Sequence, residues 1–138
     1  LLGAKRIIDR EELSQKGRPL AKESWAGAID SVGSYTLANV CAATKYKGTV
    51  VACGLAQGFD LPATVMPFIL RGVSLVGVDS VYCPLEERVQ AWERLATDLN
   101  LEHLEKMTSV IPIQDAMVAS KNMIEGKSYG RIVIDVNS

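Results

Sequence analysis

The sequence predicts an α/β fold built around a mostly parallel sheet covered by helices on both faces. Short β-branched runs alternate with segments of helical periodicity, the order that strand-crossover-strand units require. The strand runs are also apolar at nearly every position rather than at every second one, the pattern of strands buried on both sides. With 138 residues, 48% of them hydrophobic, and a net charge of −1, the chain is long and apolar enough for a globular core.

Taken in order, Leu1-Leu2-Gly3-Ala4 reads as the last turn of a helix closed by a glycine. A strand is expected from Arg6 to Ile8, followed by a polar loop from Glu11 to Ser24 that contains Gly17 and Pro19. The next strand runs from Ala26 to Asp30. Ser34-Tyr35-Thr36-Leu37 then opens a helix with a serine cap; Leu37, Val40, Cys41 and Thr44 form its inner stripe, and Lys47-Gly48 ends it. A strand from Thr49 to Cys53, a short helix from Met66 to Arg71 stopped by Gly72, and a strand from Ser74 to Val78 follow.

Pro84 starts the longest helix, with Glu86 and Glu87 near the positive end of its dipole. Val89, Trp92, Leu95, Ala96 and Leu99 recur at helical spacing, so one face is expected to be buried, with Trp92 and the distant Trp25 in the core. The remaining elements are a strand from Ser109 to Ile111, a helix from Ile113 to Glu125 with Ala116, Met117, Ser120 and Ile124 inward, and a strand from Arg131 to Val136. The return to a short β-α-β pattern near Ser109 marks a candidate subdomain boundary.

Near-balanced charge leaves no basic face for nucleic acid and no polybasic segment for a membrane surface. Apolar stretches are interrupted well before the roughly 20 residues of a membrane span, and no signal-peptide pattern opens the chain, so a cytoplasmic address is expected. Cys41, Cys53 and Cys83 lie far apart without a C-x-x-C pair, and His103 sits in a polar stretch expected to be exposed. Neither a disulfide framework nor a zinc site is expected from them.

Ligands of open α/β sheets bind beyond the carboxyl ends of the strands. Three such ends here run into small or polar residues: Asp30-Ser31-Val32-Gly33, Cys53-Gly54-Leu55-Ala56 and Asp79-Ser80-Val81. Gly54 would admit a flat ring or ribose close to the backbone, and Leu55 would offer it an apolar face. Each end alone is as well explained by turn chemistry, with Asp30 and Asp79 as caps; three at successive strands favour a crevice. Arg10 could meet a phosphate, but beside Asp9, Glu11 and Glu12 its local reading is a solvated ion pair. No Ser-His-Asp, Cys-His or paired-carboxylate arrangement is present. Nor is a G-x-G-x-x-G loop: its nearest substitute, residues 53–58, has two glycines and no amphipathic helix after it.

Four stretches carry a family likeness: Trp25-Ala26-Gly27-Ala28-Ile29-Asp30-Ser31-Val32-Gly33, Val51-Ala52-Cys53-Gly54-Leu55-Ala56-Gln57-Gly58, residues 61–72 from Leu61-Pro62-Ala63-Thr64 to Arg71-Gly72, and Gly77-Val78-Asp79-Ser80-Val81. The chain closely resembles, over essentially its whole length, the carboxyl-terminal part of the acryloyl-CoA reductase branch of the zinc-free medium-chain dehydrogenase/reductases, a group also labelled putative quinone oxidoreductases. The resemblance implies a partial Rossmann-type, doubly wound parallel sheet lacking its first two strands. Residues 1–108 would form a partial NADP-binding domain, and residues 109–138 would return to a GroES-like catalytic domain in full-length relatives.

It also implies cofactor contacts: Arg10 near the adenosine phosphate end of NADPH, Leu55 bordering the nicotinamide ribose, Ile69 near the nicotinamide side, Ser80 bonding the carboxamide or its surroundings, and Arg131 as a further contact. No catalytic residue is assigned to this chain. The whole enzyme would transfer hydride from NADPH to an α,β-unsaturated acyl-CoA and pair as a homodimer through the strand from Ser74 to Val78; the chain alone is expected to bind NADPH poorly and to be inactive. The alternatives are part of an NAD(P)H-dependent quinone or enal reductase, or a non-enzymatic dimerisation or interaction module. In the family's strand order the strand at Arg6 to Ile8 would be orphaned, so dimerisation, disorder in residues 1 to about 22, or both are expected.

Overall fold

The computed structural model describes residues 3–138, which separate into two compact units, Gly3–Cys83 and Pro84–Ser138. The helix end read at Leu1 and Leu2 lies outside the described residues; Gly3 has a positive φ of 91°.

Residues 6–8 form no strand, and Ile7 is exposed. A strand exists only where a neighbour supplies partners for its N–H and C=O groups, and no strand among the described residues lies beside this segment. The expected loop that follows is partly ordered as one helical turn, α1 (Glu11–Ser14). Beyond it the chain is held by Ala21 N–H to Ala42 O at 2.9 Å and Ser24 N–H to Ala43 O at 2.8 Å.

A parallel sheet of order β1-β2-β3 follows, made of β1 (Trp25–Asp30), β2 (Thr44–Ala52) and β3 (Ser74–Gly77), with α2 (Ser34–Ala42) and α3 (Met66–Arg71) as crossovers. Helix α2 stops earlier than the expected end at Lys47-Gly48. Thr44 Oγ1 donates to Val40 O at 2.7 Å and Trp25 Nε1 donates to the same oxygen at 3.0 Å, saturating the carbonyl on which the next helical bond would form. The freed segment joins β2 through an irregularity, pairing Trp25 with Thr44 but Gly27 with Thr49, and Lys47 adopts φ 57°.

The core lies between the sheet and α2: Leu37, Val40, Cys41, Val50 and Val73, backed by Leu13, Trp25, Ala28, Ala52, Phe68 and Leu75. Trp25 therefore takes its expected place against the core. The register aligns Ala28, Val50 and Leu75 on this side, and Ile29, Val51 and Val76 on the opposite one. There Ile29 is 82% exposed. The strands carry the apolar pattern of a two-sided sheet, but within Gly3–Cys83 the core lies on one side.

Pro84–Ser138 contains α4 (Leu85–Asp98), α5 (Leu101–Lys106), β4 (Thr108–Pro112), a 3₁₀ turn (Ile113–Asp115), α6 (Ala116–Ile124) and β5 (Arg131–Asp135). β4 and β5 pair in parallel, Thr108 with Arg131 through Pro112 with Asp135. Helix α5 falls where no element is expected from the sequence; the Asn100 side chain accepts from His103 N–H at 3.1 Å and starts it. His103 is exposed, as expected. Two expectations of burial fail. Trp92 is 65% exposed, and Val89, Leu95 and Leu99 are exposed with it. On α6 the partly buried residues are Ala116 and Ala119, whereas Met117 and Ile124 are exposed. A periodic stripe gives a helix an apolar face, but only a facing surface buries it.

Candidate functional site

The carboxyl ends of β1 and β2 are joined beyond the sheet by backbone hydrogen bonds. Cys53 N–H donates to Asp30 O at 2.8 Å, Ala56 N–H to Ser31 O at 3.3 Å and Gln57 N–H to Val32 O at 2.8 Å, and Gly33 bridges Gly58 in parallel. Asp30, 4% exposed, directs Oδ2 back on the first loop and accepts from Val32 N–H at 3.2 Å and Gly33 N–H at 2.8 Å. Asp30 thus caps its own turn. Asp79 does the same beyond β3, accepting from Val81 N–H at 2.9 Å and Tyr82 N–H at 3.0 Å, while Val78 N–H reaches Ala52 O at 2.9 Å.

These loops border an open groove of about 640 Å³ lined by Ala52, Cys53, Gly54, Leu55, Gly77, Val78, Asp79, Ser80 and Val81. Leu55 and Ser80, expected from the resemblance to meet one end of a dinucleotide, face the same space. Gly54 lines this groove, and a Cβ there would lie 2.5 Å from Ser31 O, so its missing side chain also admits the neighbouring loop.

One residue further along the same loop, Ala56 borders a second pocket of about 480 Å³ with Arg10, Ser14, Val32, Thr36 and Gln57. Among the described residues Arg10 makes no ion pair; it is Arg6 that lies 3.9 Å from Glu12. Leu55 thus lines one pocket and Arg10 another, the two lined by consecutive residues of one loop. Ile69 lies on the exposed side of α3 and lines neither pocket. Arg131 opens β5 in the other unit, its N–H bonded to Met107 O at 2.7 Å.

Gln57 is a site residue that sequence reasoning missed. Its Oε1 accepts from Thr36 N–H at 3.2 Å and Thr36 Oγ1 at 2.9 Å, and its Nε2 donates to Ser14 O at 2.9 Å. Partners 21 and 43 positions away leave no local signal. Of the thiols, all three are free; Cys53 faces the groove and its Sγ donates to Asp30 O at 3.3 Å. Cys41, by contrast, is buried, and burial, reinforced by the charge of Asp30, pushes its pKa up to about 11. Among the described residues no group of His, Cys, Asp and Glu could hold a metal ion, and no helix is long and apolar enough to cross a membrane.

No protein-family model matches the chain. Acrylyl-CoA reductase AcuI of Ruegeria pomeroyi is 46% identical over 138 residues, covering 99% of this chain and 42% of that protein. Probable acrylyl-CoA reductase AcuI of Escherichia coli is 48% identical over 136 residues, with the same coverage. The resemblance read from the sequence holds: over its whole length the chain is similar to a carboxyl-terminal part of these oxidoreductases. It spans about two fifths of the length of these relatives. Putative quinone oxidoreductase YhfP of Bacillus subtilis is 40% identical, over 96% of the chain and 41% of that protein. The crystal structure of E. coli YhdH with bound NADPH superposes with a TM-score of 0.92 at 48% identity, over 98% of this chain and 42% of the other; B. subtilis YhfP with bound NAD gives 0.87 at 38%, over 97% and 41%. A putative alcohol dehydrogenase of Sinorhizobium meliloti, 14% identical over 80% of this chain and 30% of that one, shares the fold at a TM-score of 0.57.

Proposed function

We propose that the chain forms the nicotinamide side of the coenzyme crevice of an NADPH-dependent reductase acting on the C=C bond of an α,β-unsaturated acyl-CoA of the acryloyl-CoA type, in the cytoplasm. The observation that carries this reading is the groove at the ends of β2 and β3, with an apolar wall at Leu55 and a hydroxyl at Ser80, in a chain nearly half identical to a protein crystallised with NADPH. NADPH supplies a hydride for the β-carbon of the substrate, and the α-carbon takes a proton. The chain's own residues bind and orient: Leu55 borders the ribose, Ser80 bonds the carboxamide side and Arg10 offers charge to the adenosine phosphate end. Ile69 and Arg131 remain proposed contacts on the strength of the resemblance. Residues 109–138 would belong with a catalytic domain that supplies the groups holding the thioester.

The chain has no glycine-rich phosphate loop, and each charge-assisted N–H contact of such a loop is worth roughly 1.5–3 kcal/mol. NADPH is therefore expected to bind the isolated chain more weakly than micromolar, with no turnover. The test uses Cys53 on the groove wall. At millimolar concentration NADPH should slow alkylation of Cys53 by iodoacetamide and leave Cys83 unaffected. Unchanged Cys53 labelling at concentrations where calorimetry detects binding would overturn the placement. Micromolar affinity would overturn the weak-binding claim.

A second reading, part of a quinone or enal reductase, is favoured by the 40% identity to a putative quinone oxidoreductase and the NAD-bound structure of that relative. β3 is an edge strand, which supports a third element of the proposal: two chains pair through it as a homodimer. Exposed Ile29 and Val76, on one side of the sheet, favour an interaction role alongside, rather than instead of, coenzyme binding.

A further inference from the structure

We infer that Gln57 is a positioning residue for the coenzyme crevice, a clamp that fixes Arg10 relative to Leu55; the inference rests on the coenzyme reading above. Consecutive residues of the loop after β2, Leu55 and Ala56, line one pocket each, yet Arg10 itself comes from a segment with no strand beneath it. It precedes α1, a single turn in which Leu13 and Ser14 N–H both return to Arg10 O, at 3.1 and 3.0 Å. A turn so short has no independent stability. Its position is therefore set by whatever grips it from outside.

Leu13 packs against the core, and two carboxamides add directed bonds. Asn39 Nδ2 of α2 donates to Leu13 O and Gln15 O, both at 2.7 Å, and ties α1 to α2. Gln57 connects three segments: its Nε2 holds Ser14 O, its Oε1 holds Thr36 at the start of α2, and its backbone N–H is bonded to Val32 O in the first loop. Two residues before it stands Leu55. The Gln57 carboxamide thus links the Leu55 loop to the turn that carries Arg10, and a dinucleotide spanning both pockets would meet its two contacts at a separation set by these bonds.

The test is an NMR titration of the isotopically labelled chain with NADPH, in the wild type, Gln57→Leu, Arg10→Leu and the double variant, with amide exchange measured in each. Removing one to three hydrogen bonds from the clamp should weaken binding about fivefold in Gln57→Leu. Arg10→Leu should weaken it similarly, and the double variant should lose little more than either single one, because a mispositioned arginine has nothing left to lose. Multiplying losses, or an affinity of Gln57→Leu within about twofold of wild type, would overturn the clamp.

Gln57→Glu keeps the acceptor for Thr36 but turns a carboxylate oxygen towards Ser14 O. It should speed exchange at Leu13 and Ser14 and leave Thr36 protected, whereas Gln57→Leu should speed all three. Unchanged exchange in both variants overturns the clamp whatever NADPH does. If NADPH shifts no groove resonance in the wild type while the exchange pattern holds, the coenzyme reading has failed and the clamp stands as a structural device only.

Discussion

Replacing Gly33 by alanine should be among the costliest single-methyl additions to this chain. The residue sits at φ 77° and ψ −163°, a region that essentially glycine alone populates, and forcing an alanine there costs about 1–3 kcal/mol. The added Cβ would also be driven into the carbonyl oxygen of Gly58. That oxygen cannot easily retreat: Gly58 bridges Gly33, and the Ser34 N–H bond to Asp60 O, 3.1 Å, holds the chain two residues on. Overpacking of this kind adds a further 1–3 kcal/mol or so, giving a loss of roughly 2–6 kcal/mol against wild type. With a urea m-value of about 1–2 kcal/mol/M for a unit of this size, the midpoint of equilibrium unfolding should fall by about 1–6 M. Gly77→Ala is the control, since a Cβ there meets nothing within 4 Å and φ is not positive; its midpoint should stay within about 0.5 M. A Gly33→Ala midpoint as close to wild type as that of Gly77→Ala would refute the reasoning.

Arg71→Leu removes the guanidinium that donates to Ala42 O at 2.9 Å, Thr44 O at 3.1 Å and Ala21 O at 2.5 Å and lies 3.3 Å from Glu23, so several carbonyls lose a partner and stability should drop by about 2–4 kcal/mol in urea melts. The raised pKa of Cys41 makes its neutral thiol the folded form: its contribution is intact below the model-peptide pKa of 9.0 and is lost as pH rises towards about 11, so unfolding midpoints of the wild type should fall between pH 9 and 11 and those of Cys41→Ala should fall less. Homodimerisation should be visible by sedimentation. Because Val78 N–H points to Ala52 O, the N–H of Gly77 points to the free edge of β3, so Gly77→Pro should give a monomer; a dimer unaffected by it would move the interface elsewhere.

How much of this was legible in the sequence depended on how local each cause is. The strands at β1, β3, β4 and β5 fall within a residue or two of their β-branched runs, since a run of Val and Ile is a property of the segment itself. Gly72 and Gly126 end their helices for an equally local reason, a positive φ of 57° and 69°. The early end of α2 was not legible, because Trp25 and Thr44 compete for Val40 O from another element. Residues 6–8 have the composition of a strand and lack only a neighbour. At the site, the polar strand ends were visible, and so was the capping by Asp30 and Asp79. That Gln57 would join α1, α2 and a strand-end loop, or that Gly54 would make room for Ser31, depends on pairings across 20 to 40 residues that no local pattern records.

The crevice therefore separates two tasks. Its shape is set by the chain's own backbone: the loops after β1 and β2 are bonded from Cys53–Asp30 to Gly58–Gly33, Asp30 satisfies the first of these turns, and Leu55 is held on the groove that Ser80 also lines. On the proposed reading its affinity would have a different source, because the rim would offer a dinucleotide an apolar wall, a hydroxyl and one arginine, while the many N–H donors that grip a pyrophosphate are a property of glycine-rich loops that this sequence does not contain. Preorganisation without grip lowers the entropy cost of binding but supplies little enthalpy. A variant that tightens the rim should accordingly change where NADPH contacts the chain more than how strongly it binds, whereas appending a phosphate loop should raise affinity by orders of magnitude without moving Leu55 or Ser80.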